Sequence, residues 1–595
     1  MNTYKSRIEV PVEHTWDLSD IYPSLEQWEE DYNKIESSIG PLREFEGNIK
    51  NGADLLAYLT KSDEVSGTFQ LVYAYCRLQL DLDTRNSNAQ ALLDRASLLS
   101  VKVSEARSFF MPYLLSLSED VLRRYISEQE GLAYFEKSLL ESYRYKQHIL
   151  SREKEELLSQ IGEAFSAPGN TFGMINNADI KFGEVTDENG NKIELTRGMY
   201  SKLIEDENRE RRKEAYQAYY QPYIQLKNSI ASTLSANIKN NVVLTKVRKY
   251  PSALEKSLFG DMVPKEVYEN LISAAKKNLD SLHTYNELRR ELLELDKLAP
   301  YDQSVDLVKG VKKDIPFDEA YRIMLKALQP LGNDYITTLQ SFKEKRYVDV
   351  WETPGKRSGA YNMGLYGVHP FILLNHRNDL NSLFTLTHEM GHAMHSYYSS
   401  KHQPRISAGY SIFVAEVAST VNEVLLIHYL LKESADTEMR KYLINHFIDQ
   451  FKGTFFTQVM FAEFEKITHE LAEEGKPLNA EVFNSVYEKL TREYNGEVLE
   501  ITDEVKYGWS RIPHFYRPFY VYKYATGFAS AISIADGLLK GGSNVQGAYL
   551  DFLKSGSSEY PLELLKKVGV DLTTPVPIDT ALSQFRQLVH ELSAI

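Results

Sequence analysis

Cysteine is almost missing from this chain: Cys76 is the sole one in 595 residues. No intrachain disulfide can form, and a cysteine-ligated zinc site is excluded. The side chain is expected to sit as a small buried group on a helix around Leu71–Leu82. No stretch offers 18 or more uninterrupted apolar residues, and the opening MNTYKSRIEVPVEHTW has no apolar core of the signal-peptide kind. A cytoplasmic protein without a membrane partner is the expectation. Positive charge is also in deficit, since 68 Lys and Arg against 83 Asp and Glu leave −15. That argues against nucleic acid as a partner, because phosphate binding needs clustered cations. The one marked basic group, Arg209, Arg211, Arg212 and Lys213, is broken by Glu210 and reads as a solvated helix face. There are no internal repeats and no low-complexity linker.

What the chain does contain is ordinary for a soluble globular protein, with 43% apolar and 25% charged residues. Its first third reads as helix. Ser24 and Gln27 suggest a capping box opening a helix with Leu25, Trp28, Tyr32 and Ile35 on one face. Amphipathic runs follow at about Gly67–Leu82, Ser87–Leu117 and Tyr134–Phe165. The Pro-, Gly- and Asn-rich Ala167–Asn177 reads as a loop, and Asp187–Gly190 as the turn of a β-hairpin between Ile180–Val185 and Lys192–Leu195. A soft boundary near residue 200 separates an N-terminal helical region, 1–200, from a catalytic region, 201–595. Further helices are expected at about Arg209–Arg248, Pro264–Leu295 and Pro316–Lys345. Tyr216, Tyr219, Tyr220 and Tyr223 in the first of these suit a packed, half-wet helix surface and are assigned no chemistry.

The stretch that carries chemistry is LFTLTHEMGHAMHS, Leu383–Ser396. On a helix, positions i and i+4 stack on one face, so His388 and His392 can offer two imidazole nitrogens to one metal ion. Glu389 sits beside the first, placed to accept a proton from a water that the metal activates. Leu383, Phe384, Leu386, Met390, Ala393 and Met394 make the helix apolar over most of its circumference, which belongs in an interior. Buried His and Glu are costly unless satisfied, and a divalent cation satisfies them; the competing reading is a hydrogen-bonded pair of core histidines. His395 lies about 10 Å from His388 along the axis, too far to share its ion. The metzincin pattern is also absent, with His at 395 and Tyr at 398. The next apolar run, Ser411–Leu431, is interrupted by Glu416 and Glu423. Packed beside the first helix, it can bring Glu416 to the metal, with Glu423 behind it on the same face. A surface salt-bridge role for either is the alternative.

HEMGHAMH followed by FVAEVAST resembles the thimet oligopeptidase superfamily of gluzincin zinc metallopeptidases, specifically the oligoendopeptidase F branch. GAYNMGLYGVHPFILLN, Gly359–Asn375, and PHFYRPFYVYKYATG, Pro513–Gly527, resemble that branch in the same order, so the likeness spans roughly Leu254–Leu582. It implies Glu416 as third ligand of one zinc ion per chain. It implies a mainly α fold: a large two-lobed helical body around a deep substrate channel, with a small β-sheet near the active site. The implied activity is hydrolysis of internal bonds in oligopeptides, since such a channel excludes folded proteins. In related peptidases a His followed at similar spacing by Tyr stabilises the oxyanion. Order and the neighbouring Pro518 match that pair to His514 and Tyr522, with Tyr516, Tyr520 and Tyr524 still candidates because Phe519 stands where some relatives carry a further Tyr. The glycine-rich Gly359–Asn375 suits short strands, whose exposed edge can pair with an extended peptide; PFILL suits a core strand equally well.

Metal-assisted hydrolysis follows, with Glu389 moving the proton from water to leaving amine. A zinc exopeptidase would share the chemistry but needs a group to hold a terminal carboxylate, and a non-catalytic helical peptide-binding protein would have no use for Glu389. Oligomeric state is left open by the sequence.

Overall fold

A computed structural model of the chain describes residues 4–308, 313–541 and 543–595. Among these residues the fold is mainly α. Its strands are β1 (Glu184–Thr186), β2 (Lys192–Glu194), β3 (Val348–Asp349), β4 (Tyr361–Met363) and β5 (Phe371–Leu373). The chain gathers into two compact units. Met1–Ile149, Lys312–Tyr429 and Ile534–Gly569 form the first; Leu150–Val311, Leu430–Ser533 and Val570–Ile595 form the second. Residue 200 lies within the second unit.

In the first unit the helices Leu25–Arg43, Gly52–Leu82 and Ser87–Arg107 pack on one another around Trp28, Ile35, Leu78 and Leu99. Trp28 Nε1 reaches across to donate to the Val72 carbonyl at 3.0 Å. Cys76 is buried, as its helix predicts. Ser24 precedes its helix, but its hydroxyl caps nothing, and Leu25 is exposed while Trp28, Tyr32 and Ile35 turn inward. The capping box expected there is therefore absent; burial of the aromatic face fixes the helix start. The three-stranded sheet of this unit has the order β3-β5-β4, with β5 parallel to β3 and antiparallel to β4. Phe371, Ile372 and Leu373 are fully buried in its centre, so PFILL is a core strand, and β3 and β4 are the edges.

The second unit holds the expected hairpin, β1 antiparallel to β2, with Gly190 at φ 81° in the turn. Several long helices are divided. Tyr134–Phe165 contains Glu136–Arg144, Arg152–Gln160 and the start of Gly162–Met174, and Arg209–Arg248 breaks at Leu226 just after Pro222. Ala167–Asn177 is helix rather than loop: Gly162–Met174 runs through Pro168 into a wide π turn, Ile175–Asp179. Tertiary bonds override composition there, because the Tyr223 hydroxyl donates to Asn176 Oδ1 at 2.9 Å and Arg197 donates to the Asn176 carbonyl. The basic group is corrected as well. Arg209 and Arg212 are not a solvated face but converge on the fully buried Asp302 at 2.8 and 2.7 Å. Burial raises the Asp302 carboxyl, yet the two guanidinium groups outweigh it and hold the group below the usual carboxylate range. The four clustered tyrosines, 216, 219, 220 and 223, are all buried.

Candidate metal centre

Two helices of the first unit build the site. Leu380–His402 opens at Asp379, whose carboxylate accepts the Ser382 amide at 2.7 Å, and its Leu383, Leu386, Met390, Ala393 and Met394 have no exposure. Ile412–Glu433 is long and apolar enough for a membrane span, but here it is a core helix. Gly391 sets how closely the two approach. A Cβ at that position would stand 2.5 Å from the Cα of Ser419 and 2.6 Å from the Ala418 carbonyl oxygen, so only glycine lets the backbones meet. Asn422 ties the pair, donating to the Thr387 carbonyl at 3.3 Å while accepting from the Tyr335 hydroxyl at 3.0 Å.

That approach brings three donor atoms together. His388 Nε2 and His392 Nε2 are 3.1 Å apart, and Glu416 Oε2 lies 3.4 and 3.5 Å from them. A tetrahedral zinc with ligands near 2.0–2.1 Å requires its ligand atoms to be about 3.3 Å from one another. The spacing fits the ion, and two nitrogens and a carboxylate oxygen are a donor set that zinc accepts. His388, His392 and Glu416 are also the one group of three among the described residues whose donor atoms, within 4.8 Å of one another, could hold a metal.

The electrostatics also favour a cation. Burial alone would depress the His388 imidazole, but Glu416 and Glu423 outweigh it and raise it well above the ordinary value. Burial likewise pushes Glu416 up, and the two imidazoles reverse this and hold it far below the carboxylate range. Glu423 Oε1 stands 3.5 Å from His388 Nδ1, which favours a proton on that nitrogen and leaves the Nε2 lone pair facing the site. Glu389 is buried beside the cluster. Burial raises its carboxyl, the imidazoles oppose this, and Glu416 and Glu423 add to it, leaving Glu389 a better proton acceptor than a solvated carboxylate. His395 points elsewhere, stacked on Tyr410 with centroids 3.7 Å apart, and burial pushes it down to about 3, so it stays neutral.

The sheet is anchored to the same helix. Asn362 of β4 donates to Ser396 Oγ at 3.1 Å, and a Cβ on Gly364 would meet the Ser396 side chain at 2.6 Å. In the second unit, the His514 ring lies parallel to Tyr520 at 6.0 Å and edge-on to Tyr524 at 6.2 Å, and the Tyr524 hydroxyl donates to that of Tyr520 at 3.3 Å. Burial, with Arg517 nearby, lowers the His514 imidazole and keeps it neutral. Tyr522 is 1% exposed and packs on Tyr268 at 5.1 Å. Tyr516 is held by Thr233 Oγ1 at 2.7 Å and stacked on Phe172.

Comparison with known proteins gives two family matches, peptidase family M3 over residues 202–584 and oligopeptidase F over residues 114–182. The chain is 43% identical over 595 residues to oligopeptidase PepF of Bacillus subtilis, covering all of this chain and 89% of that protein. To an oligoendopeptidase F homolog of Lactococcus lactis it is 38% identical over 593 residues, covering 99% of this chain and 98% of that one. The crystal structure of oligoendopeptidase-F from Enterococcus faecium superposes with a TM-score of 0.76 at 36% identity, over 96% of this chain and 98% of that chain.

Proposed function

The chain belongs to peptidase family M3, in its oligopeptidase F branch, and on that premise we propose a zinc-dependent endopeptidase that hydrolyses internal bonds of short, unstructured oligopeptides. The observation that carries the reading is the convergence of His388 Nε2, His392 Nε2 and Glu416 Oε2 at 3.1–3.5 Å, with Glu389 buried alongside. One zinc ion per chain, held by those three atoms, would supply a Lewis acid for the scissile carbonyl and acidify a water. Glu389 takes the proton of the attacking water and delivers it to the leaving amine. Glu423 keeps His388 oriented through Nδ1. His514, with Tyr520 and Tyr524 in place of Tyr522, donates hydrogen bonds to the developing oxyanion; these groups are neutral and so do not compete for the metal. The edge strand β4 pairs with the substrate backbone, which reads extended chain rather than side chains.

In this reading residues 201–595 carry the chemistry, and the family match over 202–584 supports that division. A cytoplasmic location, without nucleic acid or membrane partners, belongs to the same proposal; the net charge of −15 supports the exclusion of nucleic acid, and fractionation of the producing cell checks the location.

Glu389→Gln tests the assignment. The variant keeps the shape of the side chain and all three metal ligands, so its zinc content by elemental analysis matches wild type while turnover falls by about a thousandfold. A variant that cleaves at the wild-type rate removes Glu389 from the mechanism. A variant that loses its zinc makes Glu389 part of the metal site instead.

A further inference from the structure

The second unit contains a cavity of about 370 Å³ that neither the metal ligands nor the His514 cluster line. Its walls include Tyr216, Tyr220, Tyr487 and Tyr494, and two cations reach it, Arg511 and Lys452. Among the described residues no Asp or Glu lines it, in a chain that carries 83 of them. Arg511 Nε donates to the Tyr220 hydroxyl at 2.9 Å, and the guanidinium lies 5.8 Å from that ring's centre. Tyr220, Tyr487, Tyr200 and Tyr219 surround its charge, burial opposes that charge, and among the described residues no carboxylate forms an ion pair with it. Other arginines of the same unit are compensated: Arg209, Arg211, Arg212 and Arg248 each meet a carboxylate at 2.7–2.9 Å. Among the described residues Lys452 meets Asp449 at 3.8 Å and the Tyr285 ring at 5.0 Å, and burial pushes its ammonium down to about 8.

A half-buried guanidinium that lines a cavity is a poor structural choice unless an anion completes it, because desolvated charge is costly without a partner. Guanidinium matches a carboxylate in two parallel hydrogen bonds, and tyrosine walls favour a flat or apolar body. The volume stands at the small end of ligand pockets, which limits the guest to about one or two amino-acid residues. We propose that this cavity binds a carboxylate carried on a small apolar or aromatic body, with Arg511 as its anchor and Lys452 as the second positive group. Two sources share that chemistry, the C-terminal end of a short peptide and a free aromatic acid. The proposal does not rest on the metal centre.

The test is calorimetric titration of the full-length, metal-replete protein with acetyl-Ala-Phe, its C-terminal amide, and 3-phenylpropionate. A charge-assisted pair of bonds makes the acids bind at least about tenfold more tightly than the amide. Arg511→Met removes that preference while circular dichroism and the melting curve stay native, and Lys452→Met weakens it. Repeating the titration after chelation separates this cavity from carboxylate binding at the metal, since only the latter is lost. Tighter binding of the acetylated dipeptide assigns the site to peptide ends, and tighter binding of 3-phenylpropionate to free acids. Equal binding of acid and amide by wild-type protein, no binding of any of the three, or a preference unchanged in a folded Arg511→Met variant overturns the proposal. The wild-type comparison of acid with amide decides even if the variant fails to fold.

Discussion

Burial chooses among the tyrosines that follow His514. The helix of that region begins at Tyr522, so Tyr520 precedes it and meets Tyr524 through the 3.3 Å bond between their hydroxyls, while Tyr522 and Tyr524 are turned about 200° apart on the helix and Tyr522 packs against Tyr268. Tyr520→Phe or Tyr524→Phe should lower kcat by about a hundredfold with little change in KM, the signature of a donor used in the transition state. Tyr522→Phe should leave kcat within about threefold, and steady-state kinetics on one peptide checks all three. A Tyr522→Phe loss as large as the others would restore Tyr522 and dismiss the geometric choice. The sequence made His514 visible but not the register of its partners, because matching by order and by Pro518 ignores where the helix starts. His388, His392, Glu389 and Glu416 were legible for the opposite reason: their spacing is fixed by a helical turn, and an apolar run shows charged side chains plainly. Arg511 gave no such signal, since an arginine amid tyrosines reads the same whether its far side faces solvent or a cavity.

At the scale of elements, the metal centre is a consequence of how closely two helices pack. In the proposed centre HEMGH would supply two ligands and a base, and Glu416 reaches them where Gly391 lets the backbone of Ser419 come within contact. Gly391→Ala forces that pair apart and should cost about 1–3 kcal/mol of stability by overpacking. The displacement moves Glu416, so zinc affinity should fall by at least about tenfold, measured by competition with a chelator while the melting temperature is followed. A variant with unchanged affinity and unchanged melting would show that Glu416 is positioned by something other than this contact. Helix existence was legible from periodicity, but close approach was not, because a glycine inside a helical pattern looks like a weak point until the neighbour is known. Ala167–Asn177 shows the same limit from the other side: Pro, Gly and Asn signal a loop, and the bonds from Tyr223 and Arg197 to Asn176 that hold it helical come from distant sequence. The composition of PFILL suits a core strand and a peptide-pairing edge equally, and β5 takes the core place; that β3 and β4 are the edges comes from strand order, which composition cannot express.

For the whole molecule, each compact unit is assembled from three returns of the chain, so a linear boundary near residue 200 and the spatial units answer different questions. The mainly α class was evident in the sequence because helical periodicity is local and repeated, whereas which segments share a unit depends on long-range packing. The family likeness runs along the whole chain, at 43% identity over 595 residues with the Bacillus subtilis oligopeptidase, and it is the molecule, rather than any one residue, that must show the activity. The most direct measurement is mass spectrometry of products from unstructured peptides of graded length, incubated with metal-replete protein, with and without a chelator. Endopeptidase action at the metal centre predicts cuts at internal bonds, folded proteins left intact, and activity lost to the chelator and restored by zinc. Removal of terminal residues alone, or cleavage that persists without metal, would contradict it.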